Sequence, residues 1–182
     1  MPKAPANVRF KAKLLRPALP ADATWSFLLL PPAASAKLPT RSMVSVEGTL
    51  GEAPFQATLE PDGQGSHWLK VEDDLRAAAG IAVGDTVALA IAPMAEEPEP
   101  KVPADIREAL DGHAAARATW DDITAIARRD WIYWIVSGKK AETRIKRIGV
   151  ALDKLGKGNR RACCFDRSGM YSNSLSAPKA AP

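Results

Sequence analysis

The chain has 182 residues, 46% of them apolar, and its 25 Lys and Arg outnumber 21 Asp and Glu for a net charge of +4. That apolar content excludes an intrinsically disordered chain, and no run approaches the roughly 20 apolar residues that cross a bilayer. Residues 1–100 hold 9 basic and 12 acidic side chains while residues 101–182 hold 16 and 9, so the positive field, and any attraction for anionic partners, belongs to the C-terminal part.

The start, Met1-Pro2-Lys3-Ala4-Pro5, leads into alternation and not into an apolar leader segment. No secretory signal is therefore read, and a cytoplasmic location is expected. Val8 to Leu14 alternates with period two, which places Val8, Phe10, Ala12 and Leu14 on one face of a strand. Trp25 to Leu30 is a short apolar run closed by Pro31-Pro32, as suits a strand buried on both faces. A hairpin follows, with Val44, Val46 and Leu50 going out, Gly51-Glu52-Ala53-Pro54 turning, and Phe55, Ala57 and Leu59 returning. Pro61 to Gly65 is a second turn, and Ser66 to Glu72 a strand with His67, Leu69 and Val71 on one side. Asp74 to Ala79 predicts a short helix stopped by Gly80, and Thr86 to Ala92 the last strand. Six short strands at this spacing predict a small barrel over residues 8–92.

Residues 93–102 hold prolines and glutamates that cannot build a core, and are read as a stiff linker. From Pro103 the period becomes helical. The first predicted helix has Ile106, Ala109 and Leu110 on one face and ends at Gly112. A second runs from Ala114 to Ile126, and a third opens at Arg128 and stops at Gly138 with Trp131, Ile132, Trp134 and Ile135 as its buried stripe. A fourth spans about Ala141 to Leu155, with Ile145, Ile148, Leu152 and Leu155 facing the core. The fold class is therefore α+β: a small β-barrel, then an all-α helical module over 103–156. Residues 157–182 form a basic tail, with Ser176–Pro182 expected to be disordered.

Several separated motifs resemble known families. Trp25-Ser26-Phe27 with Leu30-Pro31, Val46-Glu47-Gly48-Thr49-Leu50-Gly51 with Pro54-Phe55, Gly63-Gln64-Gly65 and Val83-Gly84-Asp85-Thr86-Val87 resemble an uncharacterised bacterial and archaeal β-barrel domain. That resemblance implies a double-split barrel, similar in architecture to swapped-hairpin transcription factors. Val102-Pro103-Ala104-Asp105-Ile106 with Ala109-Leu110, and the run Gly138-Lys139-Lys140-Ala141-Glu142-Thr143-Arg144-Ile145-Lys146-Arg147-Ile148, resemble the YdeI or OmpD-associated bacteriocin-protection family. This second resemblance implies a role in stress and peptide resistance.

Among side chains that suggest chemistry, Lys140, Arg144 and Arg147 fall at i, i+4 and i+7 and share one helix face. With Lys139 and the free N–H groups near Ala141 they form a candidate anion site. The alternative is a solvated face whose arginines pair with carboxylates such as Asp121, Asp122 or Asp130. Trp131 and Trp134 beside Arg128 and Arg129 have core spacing, which leaves Tyr133 as the aromatic expected at the surface. His67 lies on a barrel strand and His113 at a helix start. No paired histidines, Cys-x-x-Cys or phosphate loop is present, so no catalytic residue, cofactor or metal is expected. The adjacent Cys163 and Cys164 are read as free thiols.

The first functional expectation is a non-enzymatic binding or stress-protection protein. Its candidate ligand-binding residues are Lys139, Lys140, Arg144, Arg147, Tyr133 and His67, and its partner an anionic ligand or acidic protein. The second is nucleic-acid binding, and the third an enzyme with a pocket lined by His67, Tyr133 and Lys139.

Overall fold

Period-two alternation in the first ninety residues produces six antiparallel strands. They are β1 (Val8–Lys13), β2 (Trp25–Leu29), β3 (Val44–Leu50), β4 (Ala53–Pro61), β5 (His67–Glu72) and β6 (Thr86–Pro93), in the sheet order β1-β6-β3-β4-β5-β2. The computed structural model describes residues 7–138, 140–162 and 176–182. Its described residues up to Glu96, together with Ser176–Pro182, form one unit, and those from Glu97 to Ala162 form the other. In the first unit the sheet curls until its two ends meet. Leu15, just past β1, and Phe27 on β2 exchange backbone bonds of 2.8 and 2.9 Å.

The inner face is the one the alternation marks. Val8, Ala12, Leu14, Val44, Val46, Leu50, Phe55, Leu59, Leu69, Val71, Leu89 and Ile91 share one buried cluster. The β3–β4 hairpin turns on Gly51, which takes a φ of 60°, and pairs Leu50 with Ala53 as its last register. Gly48 is needed for a different reason. A Cβ there would fall on the Ala90 carbonyl of β6, with Ile91 Cα at 2.9 Å. Two helices interrupt the strands. α1 (Pro32–Ser35), absent from the periodicity, follows β2, and α2 (Asp73–Ala79) ends on Gly80 at φ 64°.

The second unit consists of α3 (Ala104–Asp111), α4 (Ala114–Asp122), α5 (Ala125–Val136) and α6 (Ala141–Gly156). Its core joins Ile106, Leu110, Ala116, Trp120, Ile123, Trp131, Trp134, Ile135, Ala151 and Leu155. Two boundaries differ from the sequence reading. α4 ends at Asp122, not Ile126, and α5 begins at Ala125, not Arg128. The cause is Thr124, whose Oγ1 accepts the Ala127 N–H at 3.2 Å and caps a new helix. Ile145 is also corrected. It is 71% exposed, because the buried stripe of α6 runs through Ile148, Ala151 and Leu155 and leaves residue 145 at its margin.

The segment Ser176–Pro182, expected to be disordered, instead finds backbone partners in the first unit. Ala18 N–H donates to Lys179 O at 2.8 Å and Ala181 N–H to Arg16 O at 2.8 Å. The thiols expected at Cys163 and Cys164, and the tail residues from there to 175, lie outside the described residues.

Candidate functional site

The basic run of α6 divides into cations used inside the unit and cations left at its surface. Arg144 reaches back to the first turn of α3, where Nε and Nη2 donate to the Asp105 carboxylate at 2.7 and 2.9 Å. This fork fixes the guanidinium and holds the Asp105 carboxyl below its usual value, chiefly through the Arg144 hydrogen bond. Arg147 closes the end of α5. Its Nη1 donates to Trp134 O at 2.6 Å and Ser137 Oγ at 2.8 Å, and the guanidinium lies 5.3 Å from the Trp134 ring centre. A cation on the last carbonyls of a helix is favoured by the helix dipole and supplies partners those carbonyls lack. Arg144 thus pairs with Asp105 on α3, a carboxylate other than the Asp121, Asp122 and Asp130 named from the sequence.

Lys140 is the N-cap residue of α6 and is exposed, and Lys146, nearly two turns on, is exposed as well. Among the described residues, neither takes an ion pair. Lys139 lies outside the described residues. Glu142, in the first turn, is also exposed and tempers the field. The surface therefore offers Lys140 at the start of α6, near the two arginines that fasten α6 to α3 and α5, and Lys146 farther along the helix.

Arginines elsewhere in the unit do similar work. Arg128 donates to Trp120 O at 3.1 Å, to Ile123 O at 2.6 Å and to Glu99 at 2.6 Å, which closes the C-terminus of α4. Arg160 adds bonds to the Asp122 carboxylate and main-chain carbonyl. Arg129 pairs with Glu97 at 2.9 Å and with Asp130. Burial raises the Asp130 carboxyl more than the Arg129 charge lowers it. Arg128 and Arg129 therefore do not form, with the tryptophans, a stacking platform for bases. Trp131 and Trp134 meet edge to face at 6.1 Å in the core, and Tyr133 is half-buried against the same cluster.

His67 belongs to the other unit and to its interior. It is fully buried, its Nε2 lies 2.8 Å from Ser42 O, and its Nδ1 is hydrogen-bonded to Ser35 Oγ. A carbonyl only accepts, so Nε2 donates to Ser42 O, while Nδ1 shares its hydrogen bond with the Ser35 hydroxyl. The ring ties α1 to the start of the segment leading into β3. Its two serine partners escaped the sequence reading, because a four-residue helix and a turn leave no periodic signal. His113 caps α4, accepting the Ala116 N–H at 3.2 Å. The apolar void among Leu110, Trp120, Ile148 and Leu155 is about 10 Å³, barely one water, and is too small to hold a ligand.

The paired Asp105 and Arg144 make a pH-dependent prediction. Because the folded carboxyl is held below 3.8, the pair adds stability above that value, which is lost as pH falls through the lowered folded value. Asp105→Asn is expected to lower the melting temperature near neutral pH, by an amount equivalent to at most about 1 kcal/mol since both groups are partly exposed. The difference from wild type should close in acid; a gap that is constant with pH contradicts the assignment.

Comparison with family models divides the chain at the same place. Residues 10–91 match a domain of unknown function, DUF1905. Residues 99–162 match the bacteriocin-protection, YdeI or OmpD-associated family. Among curated proteins, none matches the chain.

Proposed function

We propose that this chain, which joins a DUF1905 domain to a bacteriocin-protection, YdeI or OmpD-associated domain, is a non-enzymatic protection protein. In this reading it meets an anionic partner through exposed lysines in the first half of α6, Lys140 and Lys146 among them. The family match supports the protective role. The partner contact rests on one observation: Arg144 and Arg147 are locked to Asp105 and to the end of α5, while Lys140, at the N-cap, and Lys146, on another side of the same helix, are exposed. Locked arginines give the helix start a fixed position, and exposed lysines give it charge that an acidic partner can neutralise without breaking the core.

The partner is an acidic protein segment in preference to nucleic acid. The N-terminal part of the chain has more acidic than basic side chains; a short acidic segment can confine its contact to the basic helical unit, whereas the extended backbone contact of a long polyphosphate gains nothing from the acidic part. His67 has no part in the contact, since it is enclosed in its own unit with both ring nitrogens engaged.

Titration of the intact chain with a fluorescent Asp/Glu-rich peptide, and separately with duplex DNA, tests the reading. The peptide should bind in a salt-dependent manner. The double charge reversal Lys140→Glu/Lys146→Glu should weaken it by at least about tenfold at low salt, while circular dichroism and melting temperature stay unchanged. Undiminished binding by the folded variant, or DNA bound more tightly than the peptide, defeats the reading.

A further inference from the structure

Ser176–Pro182 lies along the barrel unit as an extended segment, and among the described residues it is held there by three backbone bonds. Ala177 N–H donates to Asp62 O at 3.1 Å, Ala18 N–H donates to Lys179 O at 2.8 Å, and Ala181 N–H donates to Arg16 O at 2.8 Å. Between the last two bonds Pro17 and Ala180 sit opposite one another as an antiparallel bridge. Asp62 is itself held, because its Oδ1 accepts the N–H groups of Gln64 at 2.8 Å and Ser66 at 2.9 Å. The acceptor carbonyl is therefore presented by a closed turn.

The spacing of the segment fits this arrangement. Residues 177, 179 and 181 turn backbone polar atoms to the barrel, one every second position as an extended chain requires. Pro178 and Pro182 take the alternate positions, where a missing N–H forfeits no bond. The prolines also leave the outer side of the segment short of donors, so it is a poor template for a further strand.

We propose that Arg16–Ala18 and the Asp62 carbonyl form an acceptor site for an extended peptide, and that the chain's own segment Ser176–Pro182 occupies it as an intramolecular ligand. Recognition is by strand addition: backbone bonds supply the affinity, and alternating proline with small residues suits the fit. Tethering holds the segment at an effective concentration in the millimolar range, enough to fill a weak site. Released from the site, the segment vacates the Arg16 carbonyl, the Ala18 N–H and the Asp62 carbonyl. The same segment of a second copy can then fill them, as in an exchange of identical elements.

The test uses a chain ending at residue 175 and a synthetic peptide of residues 176–182, followed by amide chemical shifts. The peptide should cause saturable shifts at Arg16, Ala18 and Gly63 of the shortened chain at concentrations up to about 10 mM, and none in the intact chain. A peptide with Ala181→Pro, which lacks the donor to Arg16, should bind at least about fivefold more weakly. Should the shortened chain fail to fold, Ala181→Pro in the intact chain should speed hydrogen exchange at Ala18 by about tenfold or more. Absence of peptide-induced shifts in a folded shortened chain, or unchanged Ala18 exchange in the variant, overturns the proposal.

Discussion

Gly48→Val is expected to leave the barrel unit unfolded at ambient temperature. β3 pairs with β4 on one side and β6 on the other, and Gly48 lies opposite Phe55 and Ile91 in those two registers. The curl of the sheet brings the Ala90 carbonyl into the space a Cβ would take. That obstacle is backbone in a central strand, so it cannot rotate away as a flexible side chain would. Relief requires β3 and β6 to separate, which breaks ladder bonds and opens the cluster around Val46, Leu50, Leu89 and Ile91. The cost should exceed about 4 kcal/mol, a large part of the stability of a small domain. Gly48→Ala should move the same way by a smaller amount. Denaturant unfolding of both variants checks this; a cooperative transition for Gly48→Val at the wild-type midpoint contradicts the close approach.

His67→Phe is expected to cost about 3 kcal/mol despite its similar volume. The substitution leaves the buried Ser35 hydroxyl and the part-buried Ser42 carbonyl without the ring that bridges them. Removing one of the orphans should return part of the loss. His67→Phe/Ser35→Ala is therefore expected to be more stable than His67→Phe by about 1 kcal/mol. If the two losses simply add, the ring does not join α1 to the segment before β3.

These two positions also show where sequence reasoning ends. The strands were legible because their inner residues alternate, and Val8, Leu14, Val46, Leu59, Leu69 and Ile91 all lie in the core as their spacing implies. The reason for Gly48 was not legible, since it depends on β6, some forty residues on. His67 stood out as one of two histidines, yet its partners lie in α1 and a turn that no periodicity marks. In the helical unit the shared face of Arg144 and Arg147 could be read from spacing alone. Their partners could not, because Asp105 is 39 residues from Arg144 and a main-chain carbonyl has no sequence signature. Thr124 did carry a cap signal, but apolar Ile123 and Ile126 on either side of it let the helix read from Ala114 run on to Ile126 and concealed the break. Ile145 kept the helical period and still lies outside, since a stripe is centred by what packs on it.

In the basic run of α6, Arg144 and Arg147 make contacts inside the unit, while Lys140 and Lys146 are exposed and carry the proposed contact. Changing Arg144 or Arg147 removes fastenings to α3 and α5, so loss of function in those variants is mixed with loss of structure. Lys140 and Lys146 separate the two. The most direct measurement is survival of bacteria producing the intact chain under bacteriocin challenge, set against Lys140→Glu/Lys146→Glu protein accumulating to the same level. The account predicts that wild-type protein protects and the folded, charge-reversed variant does not. Equal protection by the two proteins would contradict it.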